Sequence, residues 1–124
     1  MKLLLDTHVV LWWLAGGRSI GKAAKRRIET ADNVYVSIAS AWEVAIKTSI
    51  GKLRLPGRFE DGVDAHGFDK LPVSFRHAEA LATLPRLHGD PFDRMLIVQA
   101  LTEGLLLVTS DEQITAYGVP TLTP

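Results

Sequence analysis

Residues 3–8 read Leu3-Leu4-Leu5-Asp6-Thr7-His8, and the switch from three aliphatic side chains to a carboxylate governs how the rest of the chain is read. A short unbroken apolar run ended by a polar residue is the pattern of a parallel strand buried on both faces. The acid at its carboxyl end falls where open α/β sheets form their binding crevice. Moving outward, Thr7 to Leu14 reads as a helix stopped by Gly16-Gly17. Ile20 to Thr30 has helical spacing, with Lys22, Lys25, Arg26 and Arg27 on the wet side. Val34-Tyr35-Val36 is a second strand after the turn-like Asp32-Asn33. Ser37 is a good N-cap for a long helix from Ile38 to Ile50, closed by Gly51.

From Lys52 to Phe68 the pattern is poor, consistent with a loop and a short helix. Leu71-Pro72-Val73 reads as an edge strand, because proline is tolerated there and not in a central strand. Phe75 to Leu84 is expected to be helical, Pro85 to Pro91 a loop, and Phe92 to Glu103 a helix stopped by Gly104. Leu105 to Val108 is the strongest strand signal in the chain, followed by a helical turn from Asp111 and a last edge strand from Val119 to Leu122. Strands alternating with helices imply an α/β sandwich with a mainly parallel sheet, built as one domain over residues 1–124.

Composition narrows the chemistry. The chain has no cysteine, which excludes disulfides, thiolate metal sites and cysteine nucleophiles. A metal would have to be held by oxygen or imidazole, which favours Mg²⁺ or Mn²⁺ over structural zinc. Fourteen basic and fourteen acidic side chains leave no net charge, so bulk charge alone does not drive nucleic-acid binding. The apolar run after Met1 and Lys2 is too short for a signal peptide, and no segment approaches the roughly 18 apolar residues of a membrane span. A cytoplasmic location is the expectation.

Four acids are placed at one end of a parallel sheet. Asp6 follows the first strand; Asp111 follows the Leu105 to Val108 strand after Thr109-Ser110. Glu43 lies about two turns into the helix after the second strand, and Asp93 lies in the first turn of the helix opened by Pro91. Converging carboxylates repel and raise each other's pKa values unless divalent cations relieve the cost. Such a site suits phosphodiester hydrolysis. Each acid also has a plainer explanation: Asp6 as an N-cap, Asp93 and Asp111 as favourable charges near helix N-termini. Glu43 is harder to dismiss, since it sits among Ala39, Trp42, Val44, Ala45 and Ile46 on a helix that looks largely buried.

Around these acids, Asp90 competes with Asp93 to face the metal, although a cap before Pro91 suits it better. Thr109 is a candidate to add a hydroxyl through a water. Lys47, Arg94, Arg86 and His88 are candidates for gripping substrate; Lys47 and Arg94 equally suit charge balance with neighbouring acids. The four histidines show no zinc spacing, and His8 is expected to be packed or capping. Two adjacent tryptophans, Trp12 and Trp13, are not expected to share one core, so one of them, or Trp42, suits a dimer interface.

The segments Leu-Leu-Leu-Asp-Thr-His, Ser-Ile-Ala-Ser-Ala-Trp-Glu-Val-Ala-Ile-Lys, Asp-Pro-Phe-Asp-Arg-Met-Leu-Ile-Val-Gln-Ala and Leu-Val-Thr-Ser-Asp occur in the order seen in the PIN domain family. The chain resembles in particular the VapC-type toxins of type II toxin–antitoxin systems. This resemblance spans nearly the whole chain. It implies a three-layer α/β/α sandwich, a Mg²⁺- or Mn²⁺-dependent endoribonuclease acting on RNA, a homodimer, and a cognate antitoxin whose tail blocks the acidic pocket. Asp6, Glu43, Asp93 and Asp111 match the family's acids. Two other phosphoryl-transfer classes fit less well. A haloacid-dehalogenase-like phosphatase wants a second Asp where His8 stands, and a receiver domain wants a lysine after the late strand. A non-catalytic PIN-like module that binds RNA or protein remains the alternative.

Overall fold

Leu3, Leu4 and Leu5 are completely buried, and the odd and even members of the run face different cores. That alternation, one of the two side-chain faces on each side of a strand, is why three consecutive leucines are needed where a half-exposed strand would alternate with polar residues. A computed structural model describes all of residues 1–124. Its elements are β1 (Lys2–Leu5), α1 (Thr7–Leu14), α2 (Lys22–Thr30), β2 (Asn33–Ser37), α3 (Ile38–Ser49), α4 (Phe59–Ala65), β3 (Asp69–Leu71), α5 (Phe75–Leu81), α6 (Pro91–Glu103), β4 (Leu106–Val108), α7 (Glu112–Thr115) and β5 (Thr121–Leu122).

The five strands form one sheet in the order β3-β2-β1-β4-β5, with every pairing parallel. β1 is central: Leu4 pairs with Tyr35 on one side and Leu107 on the other. The chain builds outward through β2 and β3, then returns across to β4. The strand order therefore reverses between β1 and β4, and the crevice of an open α/β sheet opens at such a reversal. On one face Leu3, Leu5, Val34, Val36 and Val108 pack against α1, α2 and α4 through Val9, Val10, Ile28 and Val63. On the other, Leu4 and Leu107 pack against α6 and α7 through Leu96, Ile97 and Ile114. This is the three-layer α/β/α sandwich.

Several boundaries differ from expectation. β3 begins at Asp69 and ends at Leu71, because residues 69–71 pair with Tyr35, Val36 and Ser37. Pro72 has no N–H to continue the ladder, and its carbonyl accepts instead from Gln99 Nε2 at 3.3 Å. It is still an edge strand, as is β5, which is shortened to two residues behind Pro120. α5 stops at Leu81, three residues early; the next N–H groups fold back three residues, Ala82 to Glu79, Thr83 to Ala80 and Leu84 to Leu81. α2 begins at Lys22 with Gly21 as its cap.

The tryptophans also differ from expectation. Trp12 and Trp13 both pack, partly buried, against the same apolar cluster, Trp13 with its ring 6.0 Å from that of Phe68. Trp42 is the outlying one, 64% exposed on a stripe of α3 that continues through Ile38, Ile46 and Ile50. α3 is thus buried on one face only. No helix is long and apolar enough to cross a membrane.

Truncating the central strand is expected to be costly. Leu4→Ala should lower the unfolding free energy by about 2–5 kcal/mol in urea titration. Phe75→Ala, at a side chain 87% exposed, should stay within about 0.5 kcal/mol of the parent.

Candidate metal centre

Three of the helices that start at the carboxyl end of the sheet are capped by aspartates. Asp6 caps α1 by accepting the Val9 N–H at 2.9 Å, Asp90 caps α6 by accepting from Phe92 and Asp93, and Asp111 caps α7 by accepting from Gln113 at 2.9 Å. Capping alone accounts for Asp90, whose Pro91 neighbour occupies the first helical turn. Asp6 and Asp111 have further partners.

Asp6 is only 5% exposed. While one oxygen caps α1, the other accepts the Thr109 hydroxyl at 2.5 Å across the β1–β4 reversal. Burial pushes its carboxyl above the usual carboxylate range; Thr109 and Val9 pull it down, and the Asp111 charge pushes it up again. Thr109 therefore bonds directly to Asp6, and its hydroxyl also accepts the Asp111 N–H at 3.1 Å.

Glu43 is 4% exposed on the inner face of α3. Its Oε2 accepts from Lys47 Nζ at 2.8 Å, one turn along the helix. Its Oε1 is buried and has no partner at all. Leaving a carboxylate oxygen bare inside a protein is expensive. Asp93 shows the same tension, its carboxyl pushed up to about 7. Burial is the main cause; the charges of Asp90, Glu43 and Asp6 add to it, and His88 opposes them.

His88, from the loop between α5 and α6, meets the acids. Its Nε2 lies 2.7 Å from Asp111 Oδ2 and 3.2 Å from Asp93 Oδ2. Burial tends to raise the Asp111 carboxyl, but the hydrogen bonds from His88 and Gln113 outweigh it, so the group lies below its ordinary value.

The structure thus gathers ligand atoms of His88, Asp93 and Asp111 within 4.8 Å of one another. Asp6 and Glu43 stand outside that tight group, although their charges reach Asp93. Arg94 does not face the acids. Its guanidinium donates to the carbonyls of Pro85 at 2.8 Å and Leu84 at 3.3 Å, and to Tyr117 Oη at 3.3 Å. Lys47 faces them as the partner of Glu43. His8 does not cap α1, which Asp6 does; it is exposed, with its ring 6.3 Å from that of Trp12. The sequence marks His88 only as a loop residue that could grip substrate; the structure turns it onto Asp111 and Asp93.

These donors fit a hard divalent cation. Beside the His88 nitrogen they are carboxylate oxygens, and around them Glu43 Oε1 is orphaned while burial, reinforced by the Asp90 charge, raises the Asp93 carboxyl to about 7. Together the elements define an α/β/α sandwich with a cluster of acids at the strand reversal. The chain matches the PIN domain over residues 3–120 and belongs to that family. It is 30% identical to Ribonuclease VapC22 of Mycobacterium tuberculosis, across 95% of this chain and 93% of that protein. Among solved structures it superposes on VapBC2 from Rickettsia felis bound to a promoter DNA fragment, with a TM-score of 0.74 at 13% identity over 99% of this chain and 98% of that one. It also superposes on a toxin–antitoxin complex from Klebsiella pneumoniae, with a TM-score of 0.67 at 20% identity over 98% and 97%.

The Asp93 shift has a consequence for stability. A carboxyl with a pKa of about 7 folded and 3.8 otherwise keeps its proton in the folded chain between those values. Stability should therefore fall as pH rises through that window. In chelator, Asp93→Asn should flatten the fall and be more stable than the parent at pH 8, by no more than about 4 kcal/mol. Urea unfolding at pH 5 and pH 8 measures it; a variant less stable at pH 8 would mean that the charged carboxylate is stabilising.

Proposed function

We propose that this protein is a metal-dependent endoribonuclease, the toxin of a toxin–antitoxin pair, which hydrolyses RNA phosphodiester bonds in the cytoplasm. The observation that carries this is a set of buried acids left without enough positive charge, Glu43 Oε1 bare and Asp93 raised to about 7, in a chain related along 95% of its length to a named ribonuclease.

In this assignment Asp6, Glu43, Asp93 and Asp111 hold Mg²⁺ or Mn²⁺ and form the catalytic set. A divalent cation there supplies Lewis acidity toward a phosphoryl oxygen and toward the attacking water. The protein's own residues do the positioning. Thr109 fixes Asp6 from the neighbouring strand, Asp90 sets the first turn of α6 and so the placement of Asp93, and Lys47 balances the outer oxygen of Glu43. Lys47 is partly exposed beside the acids and is the better placed cation for a substrate phosphate, because Arg94 is engaged with backbone carbonyls. Two protein partners belong to the same proposal, a second copy of the chain and an antitoxin. The apolar stripe of α3 supports them, as does the groove of about 640 Å³ beside it, lined by Val36, Ile38, Val44, Phe59 and Val63.

Purified protein free of antitoxin should cut a total-RNA pool in Mg²⁺ or Mn²⁺ and stop when chelator is added. Asp6→Asn and Asp93→Asn should each reduce cutting on the order of 10²-fold or more. Asparagine at position 6 still caps α1 and Asp93 caps no helix, so the fold should survive both changes. Asp90→Asn should cut within a few-fold of the parent. RNA binding without cutting under any cation would favour a non-catalytic binding module.

A further inference from the structure

His88 is committed at both ring nitrogens. Nδ1 accepts the backbone N–H of Asp90 at 3.0 Å, and Nε2 faces the carboxylates of Asp111 and Asp93. A proton on Nδ1 would point at that N–H, donor against donor, so the ring proton belongs on Nε2. One proton facing two acceptors favours the nearer, Asp111 at 2.7 Å over Asp93 at 3.2 Å. The side chain is 10% exposed, which leaves little of it for substrate.

The loop is held as firmly as the ring. The backbone N–H groups of Leu87 and His88 both donate to Tyr117 Oη, at 2.9 and 2.8 Å, and Arg94 bonds the same oxygen and Pro85. Tyr117 lies just past α7, the helix that Asp111 caps. His88 is thereby tied to Asp111 through its ring and through the loop that carries it.

We propose that His88 is a positioning residue of the acid site, one that donates from Nε2 to hold Asp111 and does not itself ligate the cation; this rests on the metal-site reading above. Ligation through Nε2 would require the ring proton to move to Nδ1, which breaks the bond from Asp90. Asp90 caps α6 and receives the N–H of Asp93, so that loss would disturb a second acid. The tautomer that keeps the α6 cap intact is also the one that makes Nε2 a donor. Ordinary metal-binding histidines use the opposite arrangement, donating from the distal nitrogen to a carboxylate or carbonyl.

The test combines a tautomer measurement with manganese titration. Long-range ¹H–¹⁵N correlation spectra of the metal-free protein should show His88 protonated on Nε2 and bare on Nδ1. Mn²⁺ titration followed by electron paramagnetic resonance should show about 10–100-fold weaker binding in His88→Leu. His88→Gln restores a donor at the Nε2 position and should recover most of that loss, which a simple packing role would not predict. The bound Mn²⁺ should show no ¹⁴N coupling from an imidazole. A proton on Nδ1, a ¹⁴N coupling that vanishes in His88→Gln, or a leucine variant that binds as tightly as the parent would each overturn the inference. A parent chain that binds no Mn²⁺ would overturn the metal-site reading and this inference with it; binding indifferent to His88 overturns this inference alone.

Discussion

The bond between Thr109 and Asp6 spans 103 positions of sequence and joins the two strands between which the sheet reverses its order. It places a hydroxyl against a buried carboxylate at the carboxyl ends of β1 and β4. Leu5 pairs with Val108 immediately beneath it, so the register of the central sheet and the position of the acid are one constraint. A slip of one residue would turn Leu4 to the other face and take Asp6 away from Thr109.

The acids do two kinds of work that are usually separate. Asp6 and Asp111 satisfy the free N–H groups of their helices with one oxygen and turn the other to Thr109 and His88 respectively. The partial positive charge of helix N-termini favours carboxylates placed there and offsets some of their repulsion. It does not offset all of it, because burial and mutual charge still raise Asp6 and Asp93. The residual cost is a local stability sacrificed to hold charge in a crevice, and His88 and Lys47 relieve only the parts of it that they reach.

The fold was largely legible because its deciding signals are short-range. Leu3 to Leu5 announces a doubly buried strand, Ser37 and Asp90-Pro91 announce helix starts, and Gly104, at φ of 69°, ends α6 in a left-handed turn. Signals set by tertiary pairing were less legible. The hydrophobicity of Leu71-Pro72-Val73 suggested a strand two residues late, since the true register depends on β2 and on the donor that Pro72 lacks. The apolar residues around Glu43 suggested a buried helix, yet Trp42 and Ile46 face outward. Periodicity tells which residues share a face, not whether something covers it. Of the acids proposed for the site, Asp6, Asp93 and Asp111 stand out where strands end and helices begin, and Glu43 as a carboxylate among apolar neighbours. The role of His88 does not, because it depends on Tyr117 and on which ring nitrogen meets Asp90. The direction of Arg94 was hidden for the same reason, being set by carbonyls of a loop.

The same long separation bears on the order in which the chain is made. Domains emerge from the ribosome N-terminus first, at roughly 5–20 residues per second. β1, α1, β2 and α3 can pair and pack early, with Asp6 and Glu43 already in place. The strand that completes the crevice, and with it Thr109 and Asp111, is made only after the 103 positions that separate Thr109 from Asp6. Closing so long a loop is entropically the most demanding step of the central sheet. A nascent chain therefore carries Asp6 and Glu43 without Thr109 and Asp111 until β4 has followed them out of the ribosome.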